Sequence, residues 1–288
     1  MNFKTTYKAV LLAALTATTL ASCVKDDLYD TPHPDSGRVT VNADWSARGD
    51  GIDVPETWNV SIGDYAGEET EAIHTPDHFF APGAYTLFAW TPAAGIVVNG
   101  STALATYSRE PIGWLFTHTQ PIHIERDCNH TFTAAMRQQV HVLTLALDVQ
   151  GDATDRITGI DADLTGVASS LDFADGTHGS PVTINMTFKK SESPASRSGE
   201  SNRWVATKRL LGVAGVSQQF TGVIRFANGN PQPLVVSSDL TSDLADFNSG
   251  KTVPVTLDGR LVITPTESGV TATIEKWELI DDWNVDAF

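Results

Sequence analysis

The sequence is short of cysteine and of basic side chains. It also carries no long apolar run and none of the common nucleotide or hydrolase signatures. Its 288 residues include 19 Lys and Arg against 35 Asp and Glu, a formal net charge of −16. A surface so acidic repels phosphate, and with no basic patch anywhere along the chain, nucleic acid is excluded as a partner. Two cysteines, Cys23 and Cys128, are too few for a disulfide framework and too far apart for the paired ligands of a zinc site. Neither a Gly-x-Ser-x-Gly, nor a P-loop, nor a Gly-x-Gly-x-x-Gly after a strand occurs. The pairs Asp26-Asp27, Glu68-Glu69 and Asp281-Asp282 are sequence neighbours in polar segments, whereas a glycosidase pair faces across a cleft. No catalytic residue, metal site or cofactor is therefore assigned, and the chain is read as a non-enzyme. What is present is ample apolar content, 41% of residues, which excludes global disorder and allows two domains at about 100 to 200 residues each.

The amino terminus reads as an address. Lys4 and Lys8 precede an apolar stretch, Ala9 to Leu20, that is too short to span a bilayer and fits a secretory signal peptide. Leu20, Ala21 and Ser22 before Cys23 resemble the bacterial lipobox, in which the signal (residues 1–22) is removed and the cysteine sulfur carries diacylglycerol, with fatty acids such as palmitate. Each buried methylene contributes about 0.8 kcal/mol, so two or three chains hold a protein on a membrane that one chain binds only marginally. Lys25, Asp26 and Asp27 are similar to the export tag of surface lipoproteins in the Bacteroidetes, which places the mature chain on the outer membrane, facing outward. Residues 23–37, with Pro32, Pro34 and Gly37, form a polar tether.

Past the signal, no window of helical length shows apolar residues at i, i+3, i+4 and i+7. Alternation of period two recurs instead. Trp58, Val60 and Ile62 alternate with Thr57, Asn59 and Ser61, and Val182, Ile184, Met186 and Phe188 with Thr183, Asn185 and Thr187. Further strands are expected at 38–43, 84–90, 122–125, 140–149, 204–211, 220–226, 252–257, 261–264 and 270–279. Turns are expected at Asn228-Gly229-Asn230-Pro231 and Ser268-Gly269, and a type I′ hairpin at Asp258-Gly259. Pro254 should sit on an edge strand, and Ser191 to Ser201 reads as a long hairpin loop. The fold class is all-β, with two tandem β-sandwiches over 38–135 and 136–288 and no visible sequence repeat between them.

The constellations that could carry chemistry are few. His74, Asp77 and His78 could ligate a divalent metal if one side of a loop held them; a plain polar loop is the commoner meaning of such a segment. Asp161, Asp163 and Asp172 follow calcium-loop spacing but lack the closing Glu and the flanking helices. His118, His123, His130 and His141 read as surface or capping residues rather than as shared ligands. Cys128 beside His130 reads as a half-buried thiol rather than an activated nucleophile. Trp45, Trp58, Trp90, Trp204 and Trp277 lie in or beside strand patterns and are expected in the core, leaving Trp114 and Trp283 freer to stack on a sugar.

Tyr29 to Gly37 leading into Val39 to Ser46, then Ile160 to Ala168, then Phe247 to Lys251, together resemble the FimB-type fimbrial anchor subunits of the Bacteroidales. The similarity is spread over nearly the whole mature chain. It implies two transthyretin-like sandwiches, a lipid on Cys23, and a place at the base of a surface fimbria with no catalytic residue. It also explains Leu164-Thr165-Gly166 as a feature of the fold rather than of a calcium loop. Subunits of such fibres join by β-strand addition, in which one chain's extended segment satisfies another's unpaired edge. Related stalk subunits are cut at an amino-terminal arginine, a position that Arg48 matches; an anchor should stay uncut, because cleavage there would remove its lipid. The partners implied are fimbrial subunits and, through Cys23, the outer membrane. The alternative function is a carbohydrate-binding surface lipoprotein of a polysaccharide-uptake system.

Overall fold

The computed structural model describes residues 33–191, 202–267 and 269–280. The lipobox, Lys25, Asp26, Asp27, the loop at 192–201 and Trp283 lie outside the described residues. The first half of the chain contributes β1 (Arg38–Asp44), β2 (Trp58–Ile62), β3 (Tyr65–Glu69), β4 (Ile73–His74), β5 (Gly83–Trp90), β6 (Ile96–Asn99), β7 (Thr102–Ala105), β8 (Phe116–Ile124), β9 (Asn129–Ala135) and β10 (Arg137–Gln138). The second contributes β11 (His141–Gly151), β12 (Ile157–Asp172), β13 (Thr177–Lys190), β14 (Arg203–Leu210), β15 (Gln219–Phe226), β16 (Leu234–Asp239), β17 (Val255–Thr266) and β18 (Gly269–Ile280). The architecture is all-β, as the period-two pattern predicts. On β2, Trp58, Val60 and Ile62 are buried while Asn59 and Ser61 are not; on β13, Ile184, Met186 and Phe188 are buried between exposed Thr183, Asn185 and Thr187.

The two halves repeat one strand plan. In the first, β1 lies between antiparallel β4 and parallel β9, facing a sheet ordered β3-β2-β5-β8. In the second, β11 lies between antiparallel β14 and parallel β17, facing β13-β12-β15-β16. Three additions break the match. The hairpin β6–β7 is inserted after the fifth strand of the first sandwich and pairs through β7 with β12. The two-residue β10 covers the Phe116–Thr117 end of β8. In the second sandwich β18 is added to the free side of β17. The end of β13 also pairs with β14, through Lys189↔Val205 and Lys190↔Trp204, so both sheets of that sandwich join into one hydrogen-bonded sheet.

Each sandwich has its own apolar core. The first is built on Val39, Val41, Trp58, Leu87, Phe116 and Ile124, the second on Leu143, Leu145, Phe188, Phe220, Leu261 and Trp277. A third, smaller cluster belongs to both halves: Ala103, Ala105, Ile112 and Leu115 pack with Val140, Leu171 and Leu211. Phe88, on the outer face of β5, meets Phe173 beyond β12 edge to face, with centroids 6.2 Å apart.

Two sequence expectations need correcting. Asp258-Gly259 is no turn, since β17 runs unbroken through it between β11 and β18. Gly259 stands opposite Trp277, and a Cβ there would come within 2.8 Å of the indole, so the glycine makes room for a ring. Pro254 precedes β17, an interior strand, rather than occupying an edge. Asp161, Asp163 and Asp172 lie along β12, a strand the period-two pattern did not single out, in keeping with the rejection of a calcium loop there.

Candidate docking surface

The outer side of β9 is the first feature a partner could use. Two flanking bonds fix the direction of its amides: Arg38 N–H donates to the Cys128 carbonyl and Met136 N–H to the Asp44 carbonyl, both at 2.9 Å. With the parallel register Arg38↔Asn129 to Asp44↔Ala135, the ladder to β1 then uses His130, Phe132 and Ala134. The N–H and C=O groups of Asn129, Thr131, Thr133 and Ala135 consequently point away from β1. His118 on β8 reaches the Ala135 carbonyl through Nδ1 at 3.3 Å and closes that end. Among the described residues no strand pairs with the rest of this side.

The side chains of His130, Phe132 and Ala134 turn toward the first core, yet Phe132 stays only half-buried. His130 stacks on Phe132, rings 5.9 Å apart and 5° from parallel, and its Nε2 accepts the Glu125 N–H at 3.0 Å. That imidazole is thus committed to backbone rather than to activating Cys128. Cys128 itself is buried, its sulfur 3.7 Å from a Glu125 carboxylate oxygen. The neighbouring edge of β8 is a poor acceptor for a strand: Pro121, paired with Thr86 of β5, has no N–H to offer outward.

A second feature is a groove of about 440 Å³ between β6 and the outer face of β5, lined by Asn59, Trp90, Pro92, Ala93, Ile96 and Val97. Asn59 and Trp90 are register partners, so the amide stands beside the indole. Trp90 is half-buried and belongs to none of the cores, contrary to expectation, whereas Trp58, Trp204 and Trp277 are core residues. Trp45 lies against the first core, with Phe116 at 5.8 Å. Trp114 is covered by the Arg209 guanidinium 4.7 Å from its ring, so it is less open than the sequence suggested.

Where the two sandwiches meet, polar side chains are spent on the fold. Gln138 accepts from Gly49 N–H at 2.9 Å and donates to the carbonyls of Val140 (2.8 Å) and Lys251 (2.6 Å). Lys251 Nζ meets the Gln139 carbonyl at 3.3 Å, Gln139 Oε1 at 3.2 Å and His178 Nε2 at 3.0 Å. Burial lowers the Lys251 pKa to about 8, and burial plus that ammonium lowers His178 to about 4. With three partners for three donors, Lys251 has none left for a ligand. His141, its pKa lowered by burial, sits between the Phe247 and Val253 carbonyls. Arg48 is folded onto its own loop, Nε donating to the Ile52 carbonyl at 2.8 Å and a terminal nitrogen to that of Trp45 at 3.1 Å.

The metal candidates are dispersed. His74 Nδ1 lies 2.9 Å from Glu69 and its Nε2 2.7 Å from the Tyr65 hydroxyl, while His78 lies 3.6 Å from Asp64. On β12, Asp161 takes Arg225 and Thr187, Asp163 takes Asn185, and Asp172 caps the Ala174 N–H at 2.9 Å. Among the described residues no three His, Cys, Asp or Glu side chains converge as metal ligands.

No protein-family model and no curated protein matches the sequence. Solved structures do share its fold. A candidate adhesin of Bacteroides ovatus superposes with a TM-score of 0.57 at 13% identity, over 86% of this chain and 94% of that one. The fimbrial anchor protein Mfa2 of Porphyromonas gingivalis gives 0.53 at 14% identity, over 85% and 97%. A candidate polysaccharide-binding protein of Bacteroides thetaiotaomicron gives 0.51 at 10% identity, over 86% and 99%. At such identities the likeness is one of fold, and it extends along nearly the full length of all three.

Proposed function

We propose that this chain is a fimbrial subunit of the anchor type, a structural protein held on the outer membrane by acyl chains on Cys23 and joined to other subunits by β-strand addition. The observation that carries the reading is one of the inequalities in the repeated strand plan: the second sandwich has a strand beyond β17, and among the described residues the first has none beyond β9. An open edge of this kind recruits another chain through backbone bonds and needs no cofactor. The lipobox-like leader and the fold held in common with a fimbrial anchor support the same conclusion. On this view the export tag Lys25-Asp26-Asp27 directs the chain to the outer face, and domains over 38–135 and 136–288 hang from the tether 23–37.

Three measurements test it. Labelled palmitate should enter the wild-type chain and not Cys23→Ala, which should pass from the membrane fraction to the medium. Wild-type protein should co-purify with sheared surface fimbriae; absence from them would end the proposal. Because the sequence has only two cysteines, acylation of Cys23 and a disulfide to Cys128 within one chain exclude each other. Peptide mass spectrometry should therefore find an acylated amino-terminal peptide, and a disulfide-linked pair of cysteine peptides would remove the anchor.

The Trp90–Asn59 groove favours a second reading, a carbohydrate-binding surface lipoprotein, since an indole beside an amide suits a sugar ring. Glycan-array binding that Trp90→Ala abolishes, with no fimbrial association, would favour this reading over the first.

A further inference from the structure

The open edges of the molecule differ in chemistry. β3 carries Glu68 and Glu69, and β18 carries Glu275, Lys276 and Glu278; charges of this kind deter pairing at an edge. β4 and β10 are two residues each. β6 is uncharged but only four residues long, and β16, the outer strand on the other side of the second sandwich, is six residues long and ends on a charged residue, Asp239. β9, Asn129-His-Thr-Phe-Thr-Ala-Ala135, has seven residues with no charged group, no proline and strong β-formers at Thr131, Phe132 and Thr133. Nothing in its composition guards it.

β9 also has a filled counterpart. β17, its equivalent in the strand plan, carries antiparallel β18, which turns Val270, Ala272, Ile274 and Trp277 onto the second core through the register partners Pro265, Ile263, Leu261 and Gly259. Trp277 crosses to the facing sheet, meeting Phe220 at 5.5 Å and donating to Ser238 Oγ at 3.0 Å. On the first sandwich the matching inward residues are His130, Phe132 and Ala134, and the half-buried Phe132 is what lies uncovered where such a strand would pack.

We infer that the outer side of β9 accepts an extended segment of a neighbouring fimbrial subunit, running antiparallel to β9 and laying apolar side chains at alternating positions over Phe132. This rests on the reading of the chain as a fimbrial subunit and names the acceptor within it. The backbone groups that bind are those of Asn129, Thr131 and Thr133, because Ala135 is already engaged by His118. At about 3.3 Å per residue the available edge is some 20 Å long, room for a segment of about six residues.

The test uses the full-length chain expressed in its own cell. Thr131→Pro with Thr133→Pro removes two outward N–H groups and none of the bonds to β1, a placement that edge strands tolerate. Wild-type protein should co-purify with fimbriae and the double variant should do so roughly thirty-fold less, as expected for two lost backbone bonds, with thermal unfolding and palmitate labelling unchanged. Hydrogen exchange supplies a readout that needs no variant: the Thr131 and Thr133 amides should slow on incorporation into fimbriae. If wild-type protein co-purifies while prolines have no effect and those amides keep exchanging, the β9 acceptor is wrong and the broader function stands. If wild-type protein does not co-purify at all, the broader function fails first. Self-association of the isolated chain that the prolines abolish would assign the edge to a second copy of this chain and overturn the proposal.

Discussion

At the scale of single residues, the structure gives Arg48 and Lys251 defined tasks. Arg48 would have to extend to enter a protease pocket, yet its guanidinium is bound to the Ile52 and Trp45 carbonyls, and the next residue, Gly49, donates to buried Gln138. Native protein should therefore resist an arginine-specific protease at the Arg48–Gly49 bond. Gln138→Leu, which leaves that amide without its acceptor, should speed cleavage there several-fold, as read by time-resolved mass spectrometry. Lys251 predicts a pH dependence. It titrates at about 8 in the fold against 10.5 when exposed, so between those values the unfolded chain holds a proton that the fold does not. Stability should rise as pH climbs through that window. His178, at about 4 against 6.5, acts in the same sense, and acid should weaken the fold as pH falls from 6.5 toward 4. Lys251→Met should flatten the alkaline rise, on the order of 2 kcal/mol with partial exposure allowed for, in urea unfolding followed between pH 8 and 10.5.

Among the elements, what could be read from the sequence depended on how cleanly burial alternated. β1, β2, β5, β14, β15 and β18 were legible because each has one dry face and one wet face, and β11 because its apolar run is buried on both faces. β9 was not: His130, Phe132 and Ala134 form a weak inward set, and among the described residues no second neighbour pairs with the strand. β12 was hidden by aspartates whose partners, Arg225, Thr187 and Asn185, come from sheet neighbours invisible to a linear reading. The repeated strand plan left no trace in sequence because pairing order is set by backbone bonds, which many side-chain choices satisfy. Gly259 tests the lesson directly. In a hairpin turn, alanine would be opposed by a positive φ; here it is opposed by Trp277 and, at 3.1 Å, by Leu147. Gly259→Ala should cost roughly 1–3 kcal/mol in chemical denaturation, and Trp277→Leu in the same chain should return part of that loss, which a turn glycine would not allow.

Over the whole molecule, the two sandwiches are coupled rather than merely strung together. The shared apolar cluster, the β7–β12 pairing and Gln138 all cross between them, as does the Tyr107 hydroxyl. That hydroxyl donates to the Ala168 carbonyl at 2.7 Å and accepts the Leu211 N–H at 3.0 Å. Calorimetry should show one transition with equal calorimetric and van't Hoff enthalpies; two separated peaks would mean that these ties are weak. The candidate site was the least legible feature of all, because an edge with no neighbour among the described residues is recognised only beside the β17 edge, which has one.

The central position of β1 also gives the molecule a mechanical polarity. The chain enters β1 at Arg38, flanked on both sides, with seven register pairs to parallel β9; a tug from the amino-terminal side runs along the strand axis and loads those bonds in shear, so that they must rupture together. β18 is twelve residues at the rim, and a tug on Ile280 reaches its pairing with Thr256 first and can peel the ladder bond by bond. Stretched between its two ends in an optical trap, the protein should surrender β18 first and β1 last, yielding at one end of the fold while the other still holds.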